Sequence, residues 1–235
     1  MFGWIKGGGS TAVVTREEPS RREDSAALNV VKRLARSIST VGKDAAEVRG
    51  ALEDTQRVVQ AQGQAMPFIR AAQQAAADIS ELLEDALRSG QINTADLFDE
   101  HYRPIEGTAP QQHMARFCQL TDRLFPNVQE KTLGFSDKVV FCIAADRNGY
   151  IATHNRKYCQ PQRPGDTVWN TANSRYRRIF NDRTGLASAR NTRPFLLQTY
   201  RRDMGGGRFV LLKEAAAPIV VGGRHWGGLR LAFNF

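Results

Sequence analysis

A continuous apolar strand followed at once by a tight turn lies in the second half of the 235-residue chain. Residues 139–145 are all apolar and rich in Val, Phe and Ile, which predicts a strand at the centre of a sheet, covered on both faces. Residues 146–149 contain Asn148-Gly149, a pair that tolerates positive φ at little cost and favours a hairpin turn. With a second strand at residues 150–154, the pattern predicts a β-hairpin.

Apolar residues recur between residues 31 and 69 at alternating spacings of three and four. The repeat predicts a long helix over residues 25–66 whose narrow apolar stripe favours pairing with another helix, and we expect a homodimeric coiled coil. Thr55 and Gln62 fall on the stripe and three glycines weaken the helix, so a helix folded back on its own domain is the alternative. Residues 1–24 are rich in Gly, Ser and charge, which predicts a disordered arm.

Helices are predicted before the hairpin and strands after it. Pro67 predicts the start of a new helix that ends near Gly90, and further helices are predicted at residues 94–98, 111–125 and 126–134. Residues 155–193 contain prolines, glycines and short helical patterns, including one at residues 175–180, and form a crossover segment. Strands at residues 195–201, 208–221 and 226–233, separated by glycine turns, predict an antiparallel meander.

These elements predict an α+β domain over residues 67–235 with a five-stranded antiparallel sheet. Helices would cover one face of the sheet and the crossover, residues 155–193, would cover the other. Such an arrangement leaves a concave space between the sheet and the crossover, which is a usual place for a small ligand.

Composition excludes several classes of function. The net charge of +9 suits nucleic acid or an anionic surface, but the arginines are spread from Arg16 to Arg230 without a basic run, so we predict no nucleic-acid partner. Three widely spaced cysteines without a CxxC pair predict neither a disulfide framework nor a zinc site and suit a reducing cytoplasm. No run of about 18 apolar residues predicts a membrane span.

We also predict that the protein is not an enzyme. The sequence contains no nucleophile elbow, no HExxH pattern and no phosphate-binding loop. The run of glycines at residues 205–207 lies between two predicted strands rather than between a strand and a helix, which indicates a turn and not a phosphate cradle.

Six segments in the second half carry a more specific signal: DRNGY at 146–150, THNRK at 153–157, RIFNDRTGL at 178–186, RNT at 190–192, QTYRRDMGGG at 198–207 and HWGGLR at 225–230. They resemble the C-terminal sensor segment of certain proteobacterial methyl-accepting chemotaxis proteins, within the wider PAS/Cache class of sensor domains. The resemblance covers roughly residues 67–235, and the helix at 25–66 is similar, more weakly, to the signalling helices of those receptors. The kinase-contacting helical hairpin of such receptors has no counterpart here.

The resemblance implies a cytoplasmic small-ligand sensor in chemotaxis-type signalling, in which a ligand between the sheet and residues 155–193 alters the N-terminal helix. A chemoreceptor, a histidine kinase or an adaptor is the expected downstream partner. The arginines of the crossover suit a carboxylate or zwitterion. The expected ligand contacts are His154, Asn155, Arg178, Asp182, Arg183, Arg190, Asn191, Tyr200 and His225.

Two other readings stay open at this point. A structural adaptor of a receptor array would bind no ligand, and its arginines would form surface ion pairs. A haem-based sensor would use His154 or His225 as an axial ligand. The sequence leaves the cofactor undetermined and predicts no metal site.

Overall fold

The structure, a computed structural model, describes the backbone of residues 18–235 and the side chains of residues 24–60 and 63–235. The chain divides into two compact units, Met1–Ala61 and Gln62–Phe235. Most of the predicted disordered arm, residues 1–24, lies outside the described residues. Among the helices that are described, none is long and apolar enough to cross a membrane.

Helix α1 begins at Glu18 and ends at Arg88. All described side chains of the first unit up to residue 60 are exposed, including the apolar stripe. The exposed stripe includes Val31, Leu34, Ile38, Val41, Val48, Leu52 and Val59.

The part of α1 that belongs to the second unit buries one face instead. The buried positions repeat at spacings of three and four, as expected for a helix packed on a globule. The predicted helix break at Pro67 is wrong, because α1 continues through this residue. Burial of the neighbouring Phe68 and Ile69 in the core outweighs the hydrogen bond that the proline removes. The principal buried residues are Ala65, Phe68, Ile69, Ala72, Ala76, Ile79, Leu83 and Ala86.

The remaining elements follow in the second unit. They are α2 Thr94–Leu97, β1 Arg103–Ile105, β2 Gln112–Met114, α3 Cys118–Leu133, β3 Val139–Asp146, β4 Tyr150–Ile151, a 3₁₀ turn Arg156–Tyr158, α4 Thr167–Asn173, β5 Arg178–Ile179, α5 Arg183–Ala189, β6 Leu196–Asp203, β7 Phe209–Val221 and β8 Arg224–Phe233.

A four-stranded antiparallel sheet in the order β3-β8-β7-β6 forms the centre of the second unit. The predicted meander of the last three strands is confirmed, since β6, β7 and β8 are consecutive neighbours. The predicted five-stranded sheet is wrong, because the main sheet has four strands and the short strands form two separate pairs, β1-β2 and β4-β5. Strand β3 is buried on both faces, as expected, but it lies at an edge of the sheet.

The predicted hairpin between β3 and β4 is also wrong, although its turn is present. Gly149 has a φ of 80° and donates its N–H to the carbonyl of Asp146. The second strand then leaves β3 and pairs with β5, with Tyr150 opposite Ile179. The side chain of Asn155 takes the place of a neighbouring strand, since its Oδ1 accepts the backbone N–H of Cys142 at 2.8 Å.

The predicted helix over residues 111–125 begins only at Cys118, and residues 112–114 form β2. The buried side chain of Gln112 donates to the Tyr176 carbonyl at 3.0 Å, and the backbone N–H of His113 donates to the Arg177 carbonyl. These bonds hold the segment extended against the crossover. The predicted helical piece at residues 175–180 contains β5 instead.

Two hydrophobic layers cover the faces of the main sheet. On the first face α1 and α3 pack against alternate residues of the strands, such as Cys142, Leu229 and Leu231. The opposite face carries Phe141, Ile143, Tyr200, Leu212 and Ala232, which pack with Tyr158 and Phe180 of the crossover. The crossover therefore covers this second face, as the sequence predicts.

Candidate functional site

A small cavity lies between the second face of the sheet and the crossover. Its volume is about 10 Å³, which is about the space that one water molecule occupies. The apolar part of its wall comes from both layers, and its polar part comes from four side chains. The lining residues are Phe141, Ile143, Ile151, His154, Arg175, Phe180, Tyr200 and Arg230.

His154 is a neutral, buried member of this wall. Its Nδ1 accepts the backbone N–H of Asn155 at 2.7 Å, so the neutral tautomer carries its proton on Nε2. Burial, together with the positive charges of Arg175 and Arg202, holds the pKa of His154 well below its usual value. The side chain can thus donate one hydrogen bond from Nε2 without carrying a charge.

Arg175 joins the crossover to the sheet. Its guanidinium donates to the carbonyl of Thr171 in α4 at 2.7 Å and to the carbonyl of Asp203 in β6 at 2.9 Å. Burial, with the neighbouring positive charge of Arg202, lowers the pKa of Arg175 to about 9. The group remains protonated at neutral pH, and its hydrogen bonds go to neutral oxygens rather than to a carboxylate.

Arg230 is the buried arginine that has a charged partner. Its Nη2 donates to Oε2 of Glu214 at 2.7 Å, and Nε donates to both carboxylate oxygens at 3.1 Å. Ser188 and Gln198 donate to the same carboxylate at 2.5 and 3.2 Å. Burial alone would lower the pKa of Arg230, but the attraction of Glu214 outweighs it and raises that pKa.

Arg202 lies beside the cavity and is only 1% exposed. None of its three guanidinium nitrogens has a hydrogen-bond partner within the described part of the chain. The guanidinium carbon lies 4.2 Å from the ring centroid of Tyr158 and 5.3 Å from that of Phe141. Both rings also pack against His154. The site therefore buries a positive charge that cation–π contacts stabilise only in part.

Three of the nine predicted ligand contacts lie at or beside this cavity. His154 and Tyr200 line it, and Arg178 stacks on the ring of Phe180, which lines it. Burial lowers the pKa of Arg178 to about 10.

The structure places the other six predicted contacts elsewhere. Asn155 holds the edge of β3, and the side chain of Asp182 caps α5 by accepting the N–H groups of Thr184 and Gly185. Arg183 and Arg190 are exposed. Asn191 closes a turn with Arg193 and also accepts from or donates to His225 through its carbonyl. These residues do not line the cavity.

Sequence reasoning missed Arg202, Arg230 and Glu214 as members of the site. The available signal was a charged residue inside a strand that is otherwise buried, because such residues are almost never fully buried without a partner. Glu214 and Arg230 lie at registered positions on neighbouring strands, one residue from direct opposition. Arg202 follows Tyr200 by two residues and so shares its face.

A haem does not fit at either predicted histidine. The cavity beside His154 is far below the roughly 300 Å³ or more that a ligand of that size class needs. His225 Nε2 lies 3.1 Å from the Asn191 carbonyl, in hydrogen-bond contact. Within the described residues there is also no cluster of three His, Cys, Asp or Glu side chains that could hold a metal ion.

Larger depressions exist on the surface of the second unit, away from the buried arginines. The most spacious is an open groove of about 840 Å³ along α1 and the end of α3, lined by residues such as Met66, Ala71 and Phe135. The small cavity is nonetheless the place where unpaired buried charge collects, which makes it the better candidate for specific binding.

Comparison with known proteins adds no family assignment. No protein-family model matches the chain, and no curated protein matches it either.

Proposed function

We propose that residues 67–235 form a PAS/Cache-like sensor module of chemotaxis-type signalling, cytoplasmic and homodimeric through residues 25–66. A small ligand binds between the sheet and residues 155–193. The observation that carries the proposal is the buried, uncompensated positive charge of Arg202 next to the cavity. Burial of an unpaired charge is costly, so the site is suited to a partner that supplies negative charge or strong acceptors.

The crossover is the element through which binding would act. Arg175 ties α4 to β6 through two carbonyl oxygens. A ligand that accepts hydrogen bonds from this guanidinium competes with those carbonyls and changes the relative stability of two packings of the crossover. Order and position of such a segment are a common basis of switching in sensor proteins.

The N-terminal helix is the output in this proposal. Its apolar stripe is exposed throughout residues 24–60, which supports pairing with a second copy of the chain. A chemoreceptor, a histidine kinase or an adaptor is the downstream partner that the sequence resemblance suggests. The antiparallel sheet, with helices on one face and the crossover on the other, supports the PAS/Cache-like reading.

The small volume of the cavity favours a second candidate function. A module with room for about one water molecule could serve as a structural adaptor that assembles through its helix and binds no ligand. Under this reading the buried arginines would contribute only to the stability of the fold.

Ligand-dependent melting of the full-length protein separates the two candidates. A ligand of the folded state raises the melting temperature by mass action. The sensor proposal expects at least one compound of a library of ions and small metabolites to do so in the wild type. The same compound should lose its effect in His154→Gln and keep it in Arg190→Ala, since Arg190 is exposed and remote from the cavity. A library without any such compound would overturn the sensor proposal in favour of the adaptor.

A further inference from the structure

The buried charges on the second face of the sheet do not balance. Three arginines are buried there, Arg175, Arg202 and Arg230, and within the described residues of this face Glu214 is the one buried carboxylate. It bonds Arg230 from three directions and leaves the other two guanidinium groups without a counter-charge. Isolated charges of this kind are normally paired or hold an ion in folded proteins.

The polar wall of the cavity consists of donors. His154 presents Nε2–H, because its Nδ1 already accepts a backbone N–H. The Tyr200 hydroxyl lies 3.4 Å from Nη2 of Arg175 and accepts from it, which leaves its own proton free to donate. Arg175 and Arg230 carry only donors. Strong donors and positive charge without a competing carboxylate at the wall are the chemistry of an anion site.

The size of the cavity restricts the anion. A volume of about 10 Å³ matches a single small particle and leaves no room for the five heavy atoms of phosphate or sulfate or for the carbon chain of an amino acid. The apolar part of the wall, which includes Phe141, Ile143 and Ile151, suits a weakly hydrated anion better than a strongly hydrated one.

We propose that this cavity binds one small, weakly hydrated monoanion of halide size, held by His154 Nε2–H, the Tyr200 hydroxyl and the guanidinium groups of Arg175 and Arg202. The inference names the ligand class of the proposed sensor and therefore rests on that function for its biological meaning. The bound ion compensates part of the excess charge. It also reduces the repulsion between Arg175 and Arg202, each of which faces the other's positive charge.

The test is an exchange of anions at constant ionic strength with the full-length protein. Gluconate, which is too large for the cavity, is replaced stepwise by bromide while the melting temperature is recorded. We expect a rise that saturates with bromide concentration, as binding to one site requires. Sulfate, tested at matched ionic strength, should not reproduce the saturating rise. Identical melting curves in bromide and gluconate would overturn the proposal.

Two variants assign the effect to the cavity. Arg202→Met replaces the unpaired guanidinium by an apolar chain of similar length. It should abolish the response to bromide and raise the melting temperature in gluconate. Arg201→Met is the matched control, since Arg201 is exposed, adjacent in sequence and stacked on Phe209. It should keep the wild-type response. An equal response in both variants would contradict the proposed site.

Crystals grown in bromide give a second measurement that needs no variant. An anomalous-scattering peak between His154 and Arg175 is expected, and its absence at saturating bromide would overturn the proposal. The outcome for function is separable. Bromide binding without any effect on helix pairing would sustain the anion site and overturn the sensor. Stabilisation by a neutral metabolite, with no response to bromide, would do the reverse.

Discussion

Arg202 and Arg230 are equally buried, and they differ in what the chain places beside them. Glu214, Ser188 and Gln198 form a complete network around Arg230. The guanidinium of Arg202 meets only aromatic rings. A network in which each buried polar group is satisfied makes the arrangement of neighbouring strands specific, whereas an unsatisfied charge destabilises the fold unless a ligand binds it.

Glu214→Gln tests the first of these statements. The substitution keeps the shape of the side chain but leaves Arg230 as a buried charge without a counter-charge. We expect the free energy of unfolding to fall by about 3–5 kcal/mol, as for other buried pairs that lose one partner. Urea denaturation measures the change, with Glu81→Gln on the exposed side of α1 as the control. A loss below about 1 kcal/mol, the median for exposed pairs, would show that the pair contributes little.

Asp146 predicts a distinct pH dependence. Burial raises its pKa from 3.8 to about 6, although Tyr102 donates to it at 2.5 Å and two backbone N–H groups donate at 2.9 Å. Because the folded pKa is the higher one, the proton binds the folded state preferentially. The stability that this carboxyl contributes is therefore complete below about pH 4 and is lost as the pH rises through about 6.

Asp146→Asn should remove this dependence, since the amide keeps an acceptor for the backbone and a donor toward Tyr102. We expect the free energy of unfolding of the variant, relative to the wild type, to rise by about 3 kcal/mol between pH 4 and pH 8. Chemical denaturation across that range measures it. Asp137→Asn is the exposed control and should run parallel to the wild type. Parallel curves for Asp146→Asn would contradict the raised pKa.

At the scale of elements, α1 carries its apolar residues in two ways. The stripe over residues 31–59 is open, whereas the residues from Ala65 to Ala86 are covered by the sheet layer of the second unit. Ile38, at the centre of the open stripe, is 67% exposed. An apolar stripe of this length with charged flanks is stable in water when another helix covers it.

We therefore expect Ile38→Glu together with Val48→Glu to shift the full-length protein from dimer to monomer in sedimentation experiments. Ser39→Glu introduces the same charge on the outer side of the predicted pair and should leave the dimer intact. Monomers of the wild type at all concentrations tested would contradict the prediction of a coiled coil.

Which elements the sequence predicts depends on whether their causes are local. Strands β6 to β8 follow from alternating residues and glycine turns, both of which can be read along the chain. The hairpin fails because β4 takes a distant partner, β5, while Asn155 occupies the edge of β3. Gly228 is another non-local case, since a Cβ there would lie 2.3 Å from the Ser188 carbonyl of α5.

The site divides in the same way. His154 and Tyr200 were expected from the sequence and do line the cavity. The role of Arg202 could not be derived from its position in the chain, because a missing hydrogen-bond partner is visible only when all neighbours are placed. Asp182, by contrast, carries the local signal of a helix cap, which competes with the predicted ligand role.

The whole molecule consists of two units with different sources of stability. The core of the second unit extends from Ala65 to Phe233 and includes α1 residues, both helices of the first face and all four strands of the main sheet. The described residues of the first unit contribute no buried side chain. Stability of the second unit should therefore not depend on residues 1–61, and pairing should depend on them.

A fragment of residues 62–235 tests this division. We expect it to unfold in one cooperative transition at nearly the wild-type melting temperature, because every buried apolar residue is retained, and to sediment as a monomer, because the open stripe is absent. A shorter fragment, residues 80–235, is the control. It lacks Phe68, Ile69, Ala72, Ala76 and Ile79, so the first face of the sheet loses its cover and cooperative unfolding should disappear. A fragment of residues 62–235 that stays dimeric would place the pairing surface in the second unit and would overturn the role of the N-terminal helix.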